Sequence, residues 1–531
     1  MVLDQYQLNC LDAVVEHLTQ TYIRSFFYCL SPERDVYHKL SRGVASPAPA
    51  VPEAELDAQY WAAEAQAAIE ARLAHRESKQ RARNVVMFLG DGMSVPTLAA
   101  ARTLLGQRRG ATGEEAQLAF EKFPTVGLAK TYCVDAQVAD SACSATAYLC
   151  GAKGNMATIG VSGRVERAHC AAAADPAHHV HSIAEWALSD GRDAGIVTTT
   201  RVTHASPAGT YAHTADRDWE SDADVERDCG HAPHAQHDIA LQLVHAYPGD
   251  QFKVILGGGR REFLPNSTID EEGTRGRRID GRNLIKEWQE NKEARNVSYQ
   301  YVWNREQLMG AADELPDYLL GLFEGSHMQY HMQADAHAEP SLAELTEVAI
   351  RSLSRNQKGF FLFVEGGRID HAHHDNLVQL SLDEAVQLSE AVARAAELLS
   401  EEDSLLLVTS DHAHVMSISG YSQRGRDILG PSDDAGDDGV PYMTLSYANG
   451  PGYRPHAPAR EDLTQHDYHD VNFAFPSSVP LDSETHGGDD VAVFARGPHH
   501  SMFTGLYEQS QLPHLMAYAA CMGPGRHACQ H

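Results

Sequence analysis

Among 531 residues there is no run of eighteen apolar side chains, so no segment reads as a membrane-spanning helix. Basic residues are scarce. Forty-three Lys and Arg stand against 73 Asp and Glu, a net charge of −30 with His neutral, and no long basic tract offsets it. Such a chain repels nucleic acid and anionic lipid, which excludes a polyanion binder. The nine cysteines include no Cys-x-x-Cys pair, so neither a zinc ribbon nor a thioredoxin-type motif is present. A clean apolar leader is missing too. Residues 11–30 are interrupted by Asp12, Glu16 and Arg24, and no secretory signal peptide is recognisable there. Against that, Cys521 and Cys529 could close a short loop, and sequons begin at Asn266 and Asn296, which both point to an oxidising, extracellular compartment.

What the chain does have is histidine. Thirty His beside 73 carboxylates form a large pool of metal ligands. With 43% hydrophobic and 22% charged residues the bulk of the chain is of globular composition, long enough for two or three domains or one large domain with insertions. Residues 1–45 read as one or two amphipathic helices, and Pro47, Pro49 and Pro52 as a linker, giving an N-terminal extension over 1–52. A helix is expected from Glu53 to about Lys79. Short, doubly apolar runs follow at 85–89, 194–198, 254–256, 360–364, 405–408 and 491–495, separated by helical stretches such as 342–354 and 377–400. That pattern predicts an α/β fold: a large, mostly parallel sheet with helices on both faces, spanning 53–416 and ending over 486–531. Residues 417–485, rich in Gly, Pro, Asp and Tyr, break it and read as an inserted, solvent-exposed subdomain.

Chemistry collects just past these strands. The run at 85–89 leads into Asp91, the run at 194–198 to His204 and Ser206, and the run at 360–364 to Glu365, Asp370 and His374. The run at 405–408 leads into Asp411 and His412. In an open parallel sheet, ligands bind outside the carboxyl ends of the strands, so these eight residues share one rim. Singly, each is as readily a helix N-cap or a solvated surface group. Together, that many carboxylates would repel one another unless cations neutralise them. Imidazole with carboxylate is a zinc-type donor set, and oxygen donors alone suit magnesium.

A nucleophile is expected at Ser141, among small residues at the start of a probable helix whose N-terminus attracts an anion. The bland reading of Asp140-Ser141 is a helix cap, and Cys143 in the same turn is a rival nucleophile. Arg217 is either half of a surface salt bridge or a two-pronged phosphate clamp.

Six segments now stand in order: Gly90-Asp91-Gly92-Met93, Asp140-Ser141-Ala142, Thr203 to Ala208, Val364 to His371, Asp411 to His414, and Glu484 to Gly488. Together they resemble the alkaline phosphatase family, in its animal form, over roughly residues 53–529. The resemblance implies hydrolysis of phosphate monoesters through a phosphoserine at Ser141, with Arg217 as phosphate clamp, broad specificity and an alkaline optimum. It implies two Zn2+ and one Mg2+ per subunit. One zinc would take Asp370, His374 and His486, the other Asp91, Asp411 and His412, and magnesium Asp91, Ser206 and Glu365. His204 and His371 would support these ligands. A further calcium would lie at Phe323, Glu324, Glu339 and Glu272, although the family carries Asp where this chain has Glu339. A homodimer is implied, with 417–485 as the so-called crown and Tyr421 reaching the neighbouring subunit's site. Cys170–Cys229 and Cys521–Cys529 would be disulfides, leaving Cys133, Cys143 and Cys150 free. The resemblance places the protein outside the cell or on its surface, with membrane attachment only through a lipid anchor that these residues do not contain. A sulfatase would need a modifiable Cys or Ser in a Cys-x-Pro-x-Arg context, which Ser141 lacks.

Overall fold

The computed structural model describes residues 53–56, 58–74, 78–230, 238–457 and 459–530. The expected extension over 1–52 lies outside the described residues. Eight strands in chain order are β1 (Asn84–Gly90), β2 (Thr125–Lys130), β3 (Asp193–Arg201), β4 (Val254–Gly258), β5 (Tyr299–Val302), β6 (Tyr318–Leu322), β7 (Phe360–Gly366) and β8 (Ser404–Thr409). With Val491–Arg496 and Gly505–Glu508 they form one ten-stranded sheet. Its order is 505–508, β2, 491–496, β8, β1, β7, β3, β4, β6, β5.

The strands β8 to β5 pair in parallel throughout. Val491–Arg496 runs antiparallel to both its neighbours, an inversion that an apolar run cannot reveal. Why both faces are apolar is visible along β1. Val86 and Phe88 enter one hydrophobic core, whereas Val85, Met87 and Leu89 enter the other, because successive strand side chains alternate in direction. Helices Val95–Arg108, Leu342–Leu353 and Val378–Leu398 cover the first face. Ser141–Cys150, Ile183–Ser189, Leu284–Ala294 and Leu512–Ala520 cover the second. The first described segment forms a short 3-10 turn, Glu53–Leu56, and a helix, Ala58–Ala74.

Residues 417–485 carry two small sheets. Met416–Ile418 pairs antiparallel with Leu445–Gly450, which pairs in parallel with Ser477–Pro480. Pro431–Ala435 pairs with Pro441–Met443. The segment does not stand clear of the body: Leu429, Met443, Leu445, Tyr447 and Phe475 are buried in the first core. Among the described residues no helix is long and apolar enough to cross a membrane. Asn266 and Asn296 are exposed.

Cys170 and Cys229 are bridged, and Cys150 is buried and free. Cys133 and Cys143 correct the expectation of free thiols, because they form a disulfide. The chain after β2 folds back onto the Ser141 helix and brings their Cα atoms to 5.8 Å, within bridging range. Cys521 is disulfide-bonded, while the side chain of Cys529 lies outside the described residues.

The Ser141 helix is seated by Tyr148, whose ring stacks on Phe363 of β7 at 6.3 Å between centroids. Both are fully buried. Phe363→Ala should therefore lower stability by about 3–5 kcal/mol, since the vacated volume cannot collapse within a sheet. Thermal or denaturant unfolding measures this, and a loss under about 1 kcal/mol would mean that the site relaxes around the gap.

Candidate active site

The ends of β1, β3, β7 and β8 meet at one rim, where Asp91, Glu365, Asp411 and His412 have no solvent exposure and Asp370 has 4%. Gly92 lets them converge. Its φ is +67°, and a Cβ there would lie 2.4 Å from the His414 ring, so any side chain would push β1 and Asp91 away from Asp370 and Asp411. The Gly92 N–H donates to Asp411 Oδ1 at 2.9 Å and fixes that carboxylate.

Ser141 opens its helix, capped by Asp140, whose Oδ1 accepts from the N–H groups of Cys143 and Ala157. The Ser141 hydroxyl donates to Asp91 Oδ1 at 3.4 Å and lies 3.2 Å from His412 Nε2. Asp140 Oδ2 accepts from Arg217 at 3.0 Å, so the helix cap and the expected phosphate clamp are one unit. Burial opposes the Arg217 charge, but Asp140 overcomes it and drives the guanidinium pKa up. Cys143 is bonded to Cys133 through the sulfur that would attack, which removes it as a rival nucleophile.

Three histidines present themselves alike. His486 Nδ1 donates to the Ala139 carbonyl at 2.7 Å, His374 Nδ1 to that of Glu484 at 2.6 Å, and His412 Nδ1 to that of Ala413 at 3.3 Å. A ring nitrogen facing a carbonyl must carry the proton, so each Nε2 turns a lone pair into the site. His486 Nε2 and His374 Nε2 then face each other at 3.1 Å, with Asp370 oxygens 3.3 and 3.4 Å away. His412 Nε2 faces Asp411 Oδ2 at 3.1 Å and Asp91 Oδ1 at 3.5 Å. Acceptors opposed to acceptors need a proton or a cation between them.

A third group comprises Asp91, His204 and Glu365, whose ligand atoms lie within 4.8 Å of one another. Here Asp91 Oδ2, Glu365 Oε1, Ser206 Oγ and His204 Nδ1 are buried without a hydrogen-bond partner. Native proteins rarely bury such atoms unsatisfied, and the three oxygens fit an oxygen-seeking cation. His204, whose Nε2 accepts from Arg217, carries its proton on Nδ1 and offers that cation no lone pair.

The electrostatics agree. Burial, then Asp411, Asp370 and Glu365, push the Asp91 pKa well above the ordinary carboxyl range. Burial pushes Glu365 up to about 7 despite hydroxyl donors from Thr198 and Thr200, and Asp411 adds to the rise. Asp370 goes the other way, because His374 and His414 outweigh its burial.

His414 has a role that its motif alone did not disclose. Its Nε2 donates to Asp370 Oδ1 at 2.6 Å and its Nδ1 to Glu484. Held by two carboxylates, its pKa rises to about 10 against its burial. Alternation could have flagged it, since His412 and His414 are two apart and Ala413–His414 is a short strand paired with His486–Gly487. His204 Nε2 accepts from Arg217 at 3.1 Å, and His371 Nδ1 from Arg368 at 3.0 Å. Between them lies His327, also unanticipated, with ring centroids 5.3 and 4.3 Å away and Arg201 against its Nε2.

The proposed calcium ligands are less uniform. Gln329 donates to Glu339 and Glu324, at 2.9 and 3.1 Å, and so joins them. Burial pushes Glu339 up to about 8, with Glu324 and Glu272 adding to the rise. Phe323 is buried at the end of β6, and Glu272 is turned to Arg260 at 2.8 Å.

Comparison with known proteins meets this geometry. A family profile described as alkaline phosphatase matches residues 82–522. Membrane-bound alkaline phosphatase of Bombyx mori is 60% identical over 507 residues, 93% of this chain and 91% of its own length. The tissue-nonspecific isozyme of Gallus gallus is 46% identical over 486 residues, 90% of this chain and 92% of its own. Among solved structures, alkaline phosphatase from the Antarctic bacterium TAB5 superposes with a TM-score of 0.58 at 20% identity. That likeness covers 84% of this chain and all of the other, and shows the fold.

The raised carboxyls make a pH-linked prediction. Glu365 has an unfolded value near 4.5 and a folded one near 7, so its contribution to the metal-free fold is full below about 4.5 and lost as pH rises through about 7. Metal-stripped protein should lose thermal stability from about pH 5 to pH 8, and added Zn2+ and Mg2+ should raise the melting temperature more at the higher pH. Glu365→Gln should flatten the slope. Equal metal-induced shifts at both pH values would contradict it.

Proposed function

This chain belongs to the alkaline phosphatase family, and within it we propose hydrolysis of phosphate monoesters through a phosphoserine at Ser141, with broad specificity and an alkaline optimum. The observation that carries this reading is the convergence of buried, unsatisfied ligand atoms around the Ser141 hydroxyl, beside an arginine fork held by its own carboxylate. Asp370, His374 and His486 would hold one Zn2+, Asp91, Asp411 and His412 the other, and Asp91, Ser206 and Glu365 the Mg2+. When bound, such cations supply positive charge and Lewis acidity at the reacting oxygens.

The protein's own groups do the rest. Arg217 is 20% exposed, and NH1 and NH2 each spend one N–H on Asp140 or His204, which leaves a fork for two phosphate oxygens. Ser141 Oγ passes its proton toward the acceptors it already faces and attacks phosphorus in line. The P–Oγ bond forms as the ester P–O bond breaks, and the alcohol leaves with a proton. Water then attacks from the side the alcohol vacated, breaks P–Oγ and releases inorganic phosphate. Two inversions give net retention. The groups named here act on the phosphoryl end of the ester and not on the alcohol, which supports broad specificity. Asp91 and Glu365, whose proton affinity burial and neighbouring carboxylates raise, must lose their protons before they can bind cations, so metal loading is favoured at higher pH, in keeping with an alkaline optimum.

The same reading takes residues 53–416 with 486–531 as the core and 417–485 as a crown-like insertion. It extends to a homodimer in which Tyr421, 53% exposed, reaches the neighbouring site, and to a calcium at Phe323, Glu324, Glu339 and Glu272. It places the protein outside the cell or on its surface, anchored by lipid if at all. The Cys170–Cys229 bridge and the exposed Asn266 and Asn296 sequons support that placement.

Two measurements test the chemistry. Acid quenching with labelled monoester should trap phosphate on the Ser141 peptide, and Ser141→Ala should abolish the label and lower kcat by roughly three orders of magnitude or more. Label surviving in that variant would move the nucleophile elsewhere. Chelation should abolish turnover, and return of zinc with magnesium should restore it. Undiminished rate in metal-free protein would defeat the metal assignment.

A further inference from the structure

Residues 131–140 have no helix or strand, and Val134, Asp135, Gln137 and Val138 are exposed. Exposed irregular backbone of this kind opens easily. Yet its last three residues reach the site: the Ala139 carbonyl holds His486 at 2.7 Å, Asp140 holds Arg217 at 3.0 Å, and Ser141 follows. Noncovalent ties to the body run from Val134 N–H to Gly154 O at 3.0 Å, from Met156 N–H to Asp135 Oδ1 at 2.8 Å, from Ala157 N–H to Asp140 Oδ1 at 2.9 Å and from Lys153 Nζ to the Tyr132 carbonyl at 2.7 Å. One covalent tie closes the loop. Cys133 at its start is bonded to Cys143, two residues past Ser141, and both pack against Ala139 in a small buried cluster.

We propose that the Cys133–Cys143 bridge is a positioning device for the phosphate clamp, which makes substrate capture depend on its oxidation state. With the loop closed, Asp140 is fixed relative to Ser141 and aims the Arg217 fork. With the bridge open, Asp140 is held by hydrogen bonds alone, from Cys143, Ala157 and Arg217, and the Arg217 fork loses its fixed direction. Opening requires two electrons and two protons. A dithiol reductant supplies them, leaving thiols at Cys133 and Cys143 and becoming a cyclic disulfide itself. This rests on the phosphomonoesterase reading and adds to it a determinant of phosphate affinity.

Non-reducing peptide mapping of the holoenzyme should find Cys133 and Cys143 linked. In Cys133→Ala/Cys143→Ala, KM and the inhibition constant for inorganic phosphate should both rise about tenfold, with kcat changed less than about threefold. Amide exchange should quicken over 134–141, and zinc and magnesium content should be unchanged. Cys150→Ala, in the same helix, should match wild type. Free thiols at both positions, or KM and phosphate inhibition within twofold of wild type, would overturn the proposal. If the double variant does not fold, graded reduction and alkylation of wild type decides. The rise in KM must track alkylation of Cys143, and tracking Cys170 instead would overturn it. Wild-type turnover of a monoester is measured first, so its absence would count against the function, whereas exchange over 134–141 reports on the loop regardless.

Discussion

Four carboxylates, Asp91, Glu365, Asp370 and Asp411, are gathered almost without solvent at one end of a sheet, in a chain that already carries 30 excess negative charges. Like charges at such range repel by about 4 kcal/mol per pair at an effective dielectric of 20, so nothing local would bring them together. The sheet does it. Leu89 of β1 is in register with Glu365 of β7 and with Thr409 of β8, and Thr198 of β3 with Glu365, so each ligand-bearing turn starts from a backbone fixed on both sides. Two closed hydrophobic cores stabilise that backbone, and the repulsion appears instead as raised proton affinity at Asp91 and Glu365. The site is thus stored in the metal-free fold as a set of protons waiting to be exchanged.

The histidines solve a different problem, that of direction. A flexible imidazole would swing toward the nearest carboxylate. Backbone carbonyls of Ala139, Ala413 and Glu484 hold three of the rings by Nδ1, and the side chain of Glu484 also braces His414 against Asp370. Deeper still, His373 sits among Thr97, Ser381 and Tyr447 and pins the helix that carries Asp370 and His374 to the inserted segment. The insertion therefore belongs to the site as much as to the surface. Glu484 lies at its end, and Tyr447 joins it to the core.

Much of this was legible in the sequence, for a physical reason. Central strands buried on both faces must be continuously apolar, and catalytic turns must follow them, so β1, β3, β4, β7 and β8 and their polar ends stand out. The edges do not. β2 alternates buried and exposed residues, and β5 and β6 are short and flanked by polar chain. Within the site, a residue beside its strand could be placed, whereas one that acts through a distant partner could not. His414 matters through Glu484 seventy residues on, and His327 through Arg201. The Cys133–Cys143 bridge was missed on the same ground: ten residues of separation admit many conformations, and only the fold of the loop chooses one.

Phosphate capture inherits the opening constraint. A monoester dianion must approach a rim whose own charge is negative, and the side-chain cation aimed there, Arg217, is already partly spent on Asp140. One half-neutralised guanidinium cannot outweigh four carboxylates, so substrate affinity must be coupled to whatever neutralises them. By linkage the coupling runs both ways: bound phosphate should hold cations in the site as firmly as cations hold phosphate. The Asp140–Arg217 pair, buried at the carboxylate and half-buried at the guanidinium, serves that coupling. If Arg217 were free to swing into the rim, it would pair with Asp91 or Asp370 and compete with the cations for them. Tied to Asp140, it is kept out of that competition and, in the function proposed, is left for the phosphate.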